Sequence, residues 1–241
     1  MSLNLPILMY HKISAPLAGA SIKGLHVSPE LFDRQLNLLC KEGYTFCDFE
    51  DLNKALKGEP VPAKPIIITF DDGHLDNYTN GLPILKKYEA KAVVFVIAGD
   101  MGKKDLVWPD AGETMATDIM SWEQAKEMSR YGISIESHGL NHRKHSRLSP
   151  HEIKDELIAS YRMIEKNIGK APLAFAYPYG DINPEAINTF KFTDYLFACT
   201  TEEGVNSLEE LERGSLKRIA VRGYKWMHWI KFKGQVKRGF E

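Results

Sequence analysis

Ile66-Ile67-Ile68-Thr69-Phe70-Asp71-Asp72-Gly73 is the most informative stretch of this chain. Residues 66–70 are almost wholly apolar and rich in β-branched side chains. They show no alternation of polar and apolar positions, as expected of a strand covered on both faces. The run then stops on two adjacent carboxylates and a glycine. A strand buried on both sides belongs to a parallel sheet with helices packed over it. Charged residues at its carboxyl end sit where such proteins do their chemistry.

The same pattern recurs on either side. Residues 5–10, 91–98, 133–137, 173–177, 195–200 and 216–221 read as further strands. Helices fill the gaps. Ser28-Pro29-Glu30 opens one that runs to Glu42 and is stopped by Gly43, with serine as N-cap and proline at the first helical position. Residues 82–88 and 121–130 read as helices, the second ended by Gly132. Ser149-Pro150-His151-Glu152 opens the longest helix, with Glu152 where a capping box places its acid, and it extends to about Ile168 before Gly169. Residues 184–190 and 224–232 supply two more, and residues 57–65 read as a loop. Strands alternating with helices imply parallel βαβ units. Seven or eight such units predict a distorted (β/α) barrel, of parallel strands with the active site at their carboxyl ends, over a single domain spanning 1–241. The phosphate-loop glycine patterns of doubly wound sheets are absent.

Composition narrows the function. The 241 residues carry 31 Lys+Arg against 32 Asp+Glu, so nothing in the charge balance points to nucleic acid. No apolar run approaches the ~20 residues that span a bilayer, so no integral membrane segment is expected. Met1-Ser2-Leu3-Asn4-Leu5-Pro6 has no basic and apolar signal-peptide regions, which reads as cytoplasmic as the chain stands and extracytoplasmic if a leader has been trimmed. Cys40, Cys47 and Cys199 are too few and too scattered for a disulfide framework and are expected as free thiols.

Polar residues cluster at the predicted strand ends. Asp71 and Asp72 follow residues 66–70, His138 and His142 follow 133–137, Pro178-Tyr179-Gly180-Asp181 follows 173–177, and His11 follows 5–10. A barrel would gather these at one mouth. Taken alone, an Asp-Asp-Gly turn or a pair of histidines four apart is ordinary surface structure. Together, Asp72, His138 and His142 form a ligand set of one carboxylate and two imidazoles that leaves coordination positions open, the mark of a catalytic metal site. Zn²⁺ is the expected ion, and Co²⁺, Ni²⁺, Mn²⁺ or Fe²⁺ would also suit the set. Such an ion lowers the pKa of bound water from about 15.7 to about 7, and the neighbouring Asp71 is placed to take the proton. This chemistry is metal-assisted hydrolysis of an ester or amide. His74 reads as a substrate contact or a loop cap, Asp76 and Asn77 have turn-and-cap readings, Trp108 in the long 99–118 loop is a candidate sugar-stacking ring, and His145 and His151 read as solvated residues at a helix start.

Thr69-Phe70-Asp71-Asp72-Gly73 resembles the first motif of the polysaccharide deacetylases, the NodB-homology family of carbohydrate esterase family 4. His138-Gly139-Leu140-Asn141-His142 resembles its second motif, His-[Ser/Thr]-x-x-His, and Ala176-Tyr177-Pro178-Tyr179 its third, Arg-x-Pro-Tyr. The resemblance runs from about Pro6 to Val221. It implies metal-dependent removal of acetyl groups from an acetylated carbohydrate, with Asp71 as catalytic base, Asp72, His138 and His142 as metal ligands, and the Tyr179 amide as oxyanion donor. Three departures stand out. Gly139 replaces a hydroxyl residue, Ala176 replaces the arginine that orients the base, and the late Leu-x-His motif that supplies a general acid is missing. Leu8-Met9-Tyr10-His11 resembles the amino-terminal Tyr-His segment of the branch acting on poly-β-1,6-N-acetylglucosamine, which implies His11 as general acid, with His228 as second choice. Two alternatives remain at this level: a small-molecule amide or imide hydrolase of the same fold, and a glycan-binding pseudoenzyme. Oligomeric state is not legible.

Overall fold

The computed structural model describes residues 3–16, 22–108, 116–209, 211–223 and 226–240, with the side chain of residue 226 left aside. In chain order, β1 (Asn4–Leu5) and β2 (Ile7–Tyr10) are separated by Pro6, so the 5–10 run is two strands. Proline has no N–H for a ladder, but its carbonyl accepts from Ile67 N at 3.1 Å. α1 (Pro29–Lys41) is capped by Ser28, whose Oγ accepts from Leu31 N. β3 (Thr45–Cys47) and α2 (Phe49–Leu56) follow, the helix opened by a capping box between Asp48 and Asp51. Then come β4 (Pro65–Phe70), a wide π turn at Asn77–Gly81 running into α3 (Leu82–Lys87), β5 (Ala92–Val96), α4 (Trp122–Arg130), β6 (Ile133–Ser137) and α5 (Pro150–Ile168). α5 has the predicted Ser149/Glu152 box and ends at Gly169, whose φ of 83° is the left-handed conformation that lets a helix stop. β7 (Ala174–Ala176), α6 (Pro184–Phe190), β8 (Phe197–Glu203), β9 (Asn206–Ser207), β10 (Leu216–Ala220) and α7 (Trp226–Lys237) complete the chain. α7 runs beyond the predicted 224–232, and residues 224–225 of that expectation lie outside the described residues.

Seven parallel strands close on themselves in the order β2-β10-β8-β7-β6-β5-β4, with β4 returning to β2 through Ile7↔Ile67 to Tyr10↔Phe70. The expected barrel is therefore present. Its distortion has a local cause. β3 pairs with the start of β4, Thr45↔Pro65 to Cys47↔Ile67, whereas β5 pairs with its end, Thr69↔Val93 and Phe70↔Val94. Ile67 faces both Ile7 and Cys47, so β3 shares with β5 the edge of β4 opposite β2. Sequence reading left residues 44–56 unassigned, because a three-residue, partly exposed strand carries too little pattern to register.

Alternation along the strands sorts side chains into two layers. Ile7, Ile67, Val93, Phe95, Ala174, Ala176, Phe197, Cys199 and Leu216 form one buried cluster inside the barrel. Leu8, Tyr10, Ile66, Ile68, Phe70, Val94, Val96 and Ile135 face the helices, where they meet Phe32, Leu36 and Met128. Cys40, Cys47 and Cys199 are free, as expected. Among the described residues no helix is long and apolar enough to cross a membrane.

Candidate active site

The inward face of each strand, continued past its end, enters the mouth of the barrel. Residues 7 and 9 lead to His11, 67 and 69 to Asp71, 134 and 136 to His138, and Leu216 to Arg218. Asp72 has the opposite parity and would face the helices on extended backbone. It lies instead in the left-handed region (φ 73°), as does Gly73 (φ 74°), and this double turn brings its carboxylate to the mouth beside that of Asp71.

His138 Nε2 and His142 Nε2 each stand 3.4 Å from Asp72 Oδ1. Donor atoms of the three residues lie within 4.8 Å of one another, and all three residues are buried. Two ligands each about 2.0–2.1 Å from a tetrahedral ion are separated by roughly 3.3 Å, so the carboxylate–imidazole edges fit a metal such as zinc. His138 Nδ1–H donates to Ala176 O at 2.8 Å, which leaves Nε2 as the atom offered to a cation. The His142 ring is fixed by packing. The Tyr179, His138 and Trp108 rings lie 4.4, 5.0 and 5.2 Å away, and its Nδ1 is buried without a partner. Burial pushes the His142 imidazole down to about 4, keeping it in the neutral form a metal requires. Burial also works to protonate Asp72, but the surrounding imidazoles of His138, His74 and His142 outweigh it and hold the carboxyl well below the usual range.

Asp71 faces a different partner. The fully buried Arg218 on β10 grips it with both ends of its guanidinium, Nη1 to Oδ1 at 2.7 Å and Nη2 to Oδ2 at 2.8 Å. Arg218 Nε donates to Thr200 O, Nη1 also donates to Thr69 Oγ1, and the guanidinium carbon lies 5.6 Å over the Phe95 ring. Burial raises the Asp71 pKa, but Arg218 together with the His138 and His11 imidazoles more than offsets this, so the carboxylate stays ionised. The arginine missing at Ala176 is thus supplied from another strand. Its signal was present in the sequence, as a charged residue sharing the parity of Leu216 in a buried run. His11 Nε2 lies 4.0 Å from Asp71 Oδ2, and burial lowers its pKa. Asp76 and Asn77 serve the loop that carries His11: Ile13 N and Ser14 Oγ donate to the Asp76 carboxylate, and Asn77 Nδ2 donates to His11 O at 2.7 Å.

The hydroxyl missing at Gly139 is also compensated. Gly139 has φ 83°, where a side chain is strained, and the loop is braced by buried Glu156 of α5. Its carboxylate accepts from Leu140 N and Asn141 N at 2.9 Å and from Asn141 Nδ2 at 2.8 Å. Tyr179 has φ 61°, and a Cβ at Gly180 would lie 1.9 Å from Thr201 Oγ1, so this tight turn admits only glycine there. Trp108 packs beside the imidazoles and donates from Nε1 to Asp100 Oδ2. His145 corrects the expectation of a solvated residue. It is 1% exposed, stacked against Phe175 at 5.6 Å, because the turn before α5 folds back over β7. His151 is exposed, as expected. His228 lines a separate cleft with Glu203 and Phe232.

A profile of the family described as Polysaccharide deacetylase matches residues 58–198. Over 208 residues the chain is 33% identical to YxkH of Bacillus subtilis (strain 168), assigned to the polysaccharide deacetylases, covering 86% of this chain and 68% of that protein. The chain belongs to the polysaccharide deacetylase family. As a member it is a deacetylase-type hydrolase of carbon–nitrogen bonds. It is also 28% identical over 195 residues to the poly-β-1,6-N-acetyl-D-glucosamine N-deacetylase of Staphylococcus aureus (strain MRSA252), covering 77% of this chain and 64% of that protein, just under two thirds of its length. Among solved structures, the Streptococcus pyogenes deacetylase PplD in complex with acetate superposes with a TM-score of 0.81 at 30% identity, covering 100% of both chains. In this deacetylase the Asp72-His138-His142 group could hold the metal ion.

Proposed function

We propose that this chain removes N-acetyl groups from an acetylated glycan of the N-acetylglucosamine type, using a divalent ion, most simply Zn²⁺, held by Asp72, His138 and His142. The observation that carries this reading is the pairing across the mouth: an ionised Asp71 clamped by Arg218, an imidazole 4.0 Å away, and a cation-binding triad beginning at the next residue. When bound, the ion supplies acidity to a water molecule and polarises an acyl oxygen.

The residues divide the remaining work. Asp71 accepts the proton of the attacking water. His11, 4.0 Å from Asp71, returns a proton to the departing amine nitrogen. The Tyr179 backbone N–H hydrogen-bonds the oxyanion that develops on the acetyl oxygen, and its left-handed turn fixes that N–H before substrate arrives. Two open clefts flank the centre, one of about 460 Å³ bordered by His11, Lys23 and Arg222, the other of about 450 Å³ bordered by His142, Trp108 and Tyr179. Open clefts beside the centre give room for a polymer, which favours the glycan over a small cyclic imide.

Acetate release from N-acetylglucosamine oligomers by the zinc-loaded protein is the test. Turnover by the wild type, with Asp71→Asn at least about 100-fold slower at unchanged metal content, supports the assignment. Zinc-loaded protein that releases no acetate, or an Asp71→Asn variant of normal activity, overturns it.

A further inference from the structure

His74 is almost completely buried beside the proposed metal ligands, yet it is not one of them. Its Nε2 lies 3.2 Å from Asp72 Oδ2, the carboxylate oxygen opposite the one that faces His138 and His142. An ionised carboxylate only accepts, so Nε2 carries the proton. Nδ1 is then the acceptor, and Thr117 Oγ1, 3.0 Å away, donates to it. Thr117 belongs to the long segment that also carries Trp108. That segment is tied to the mouth by Leu75 N donating to Asp118 O, by the bridge between His74 and Ile119, and by the edge contact of His74 with Trp108 at 5.7 Å.

We propose that His74 is a positioning residue for the metal. Through the chain Thr117 to His74 to Asp72 it occupies Oδ2 and presents Asp72 to a cation through Oδ1 alone. The inference rests on the metal-site reading above and adds what sets the denticity of its carboxylate. A carboxylate free at both oxygens can chelate and fill a position needed by water or substrate. One whose second oxygen is hydrogen-bonded binds through one atom and leaves that position open. Outer partners of this kind are typically worth about 10–100-fold in metal affinity. The Thr117 link also makes the seating of the 106–117 pairing a determinant of that affinity.

The test measures zinc affinity by competition with a chromophoric chelator, and the visible spectrum of the Co²⁺-substituted protein, for wild type, His74→Ala, His74→Gln and Thr117→Val. Expected are zinc binding weakened about 10–100-fold in His74→Ala, substantial rescue in His74→Gln, whose amide can still donate to Oδ2, and a smaller loss in Thr117→Val. The Co²⁺ bands of His74→Ala should lose intensity as Asp72 chelates and the coordination number rises, while metal-free melting temperatures follow a different order. His74→Ala and Thr117→Val proteins with wild-type affinity and wild-type Co²⁺ spectra overturn the proposal. If His74→Ala does not fold, Thr117→Val and His74→Gln decide: wild-type affinity in Thr117→Val refutes the relay, and loss there with rescue in His74→Gln supports it. Failure of the wild type to bind either metal would refute the metal-site reading itself, a result distinct from failure of this inference.

Discussion

The two ends of the barrel bury carboxylates under opposite rules. At the mouth, Asp71 and Asp72 are enclosed, yet each has its own donors, Arg218 for one and imidazoles for the other, and both are held below the ordinary aspartate value. Further down, Glu136 of β6 points inward between Phe95 and Ala174. Ser134 Oγ donates to its Oε1 at 2.6 Å and Ala174 N to its Oε2 at 2.7 Å, but no guanidinium reaches it. Burial pushes its carboxyl up to about 7. Burial is alike in both places. What differs is the partners that share the space, a guanidinium for Asp71 and several imidazoles for Asp72 against neutral donors for Glu136, and that decides which carboxylates stay ionised.

The most disruptive way to break this contrast is to remove the guanidinium. Arg218→Met leaves Asp71 as an uncompensated buried charge and should cost about 3–5 kcal/mol, seen in denaturant unfolding of the metal-free protein. Adding Asp71→Asn to the same chain should recover a large part of that loss. If the double variant is no more stable than the single, the ion pair is not what the clamp contributes.

The floor should respond next, and in the opposite sense with pH. Below its ordinary value of 4.5 the Glu136 carboxyl is protonated in both folded and unfolded chains. Between 4.5 and about 7 the folded chain keeps a proton that the unfolded chain has lost, so stability falls as pH rises and the full cost is reached above about 7. Glu136→Gln keeps a neutral group there. It should stabilise the protein by on the order of 3 kcal/mol at pH 8 and by little at pH 4, read from melting curves across that range. Asp71 runs the other way, since its contribution is present above the ordinary aspartate value and is lost as pH falls through its lowered one. An Arg218-dependent stability that grew on acidification would contradict this.

The smallest effect sharpens the comparison from outside. Lys170 pairs with Glu50 at the floor with both side chains well exposed, and its charge reaches Glu136 only weakly. Lys170→Met should change stability by no more than about 1 kcal/mol, since solvent and salt screen such pairs. A loss as large as that of Arg218→Met would show that exposure is not what separates the two ends.

Much of the site could be read along the chain because its residues sit in fixed phase with the strands. Asp71, His138 and His11 continue the inward parity of Ile67, Glu136 and Met9, so a barrel brings them together without further information. Arg218 and Glu136 obey the same parity and were nonetheless missed. A charge within a short strand, beside Lys217 in one case and alone in the other, reads as an exception until the opposite wall of the barrel is known. Glu156 and His74 were illegible for another reason. Glu156 holds backbone amides of a distant loop, and His74 links Asp72, two residues before it, to Thr117 of another segment, and nothing in local periodicity reports either contact. His145 was misread because a polar residue next to a helix start carries no sign that the turn folds over Phe175.

The linear order of residues by itself settled the alternation of strand and helix, hence the barrel, and singled out the Asp72, His138 and His142 group, because periodicity and motif spacing are local properties of a chain. Only the folded molecule decided which cation answers Asp71, why Asp72 turns back into the mouth and which carboxylate stays protonated. Those depend on distances between segments up to about 150 residues apart, Asp71 and Arg218 foremost, and electrostatic energy is set by such distances and by the water excluded between them.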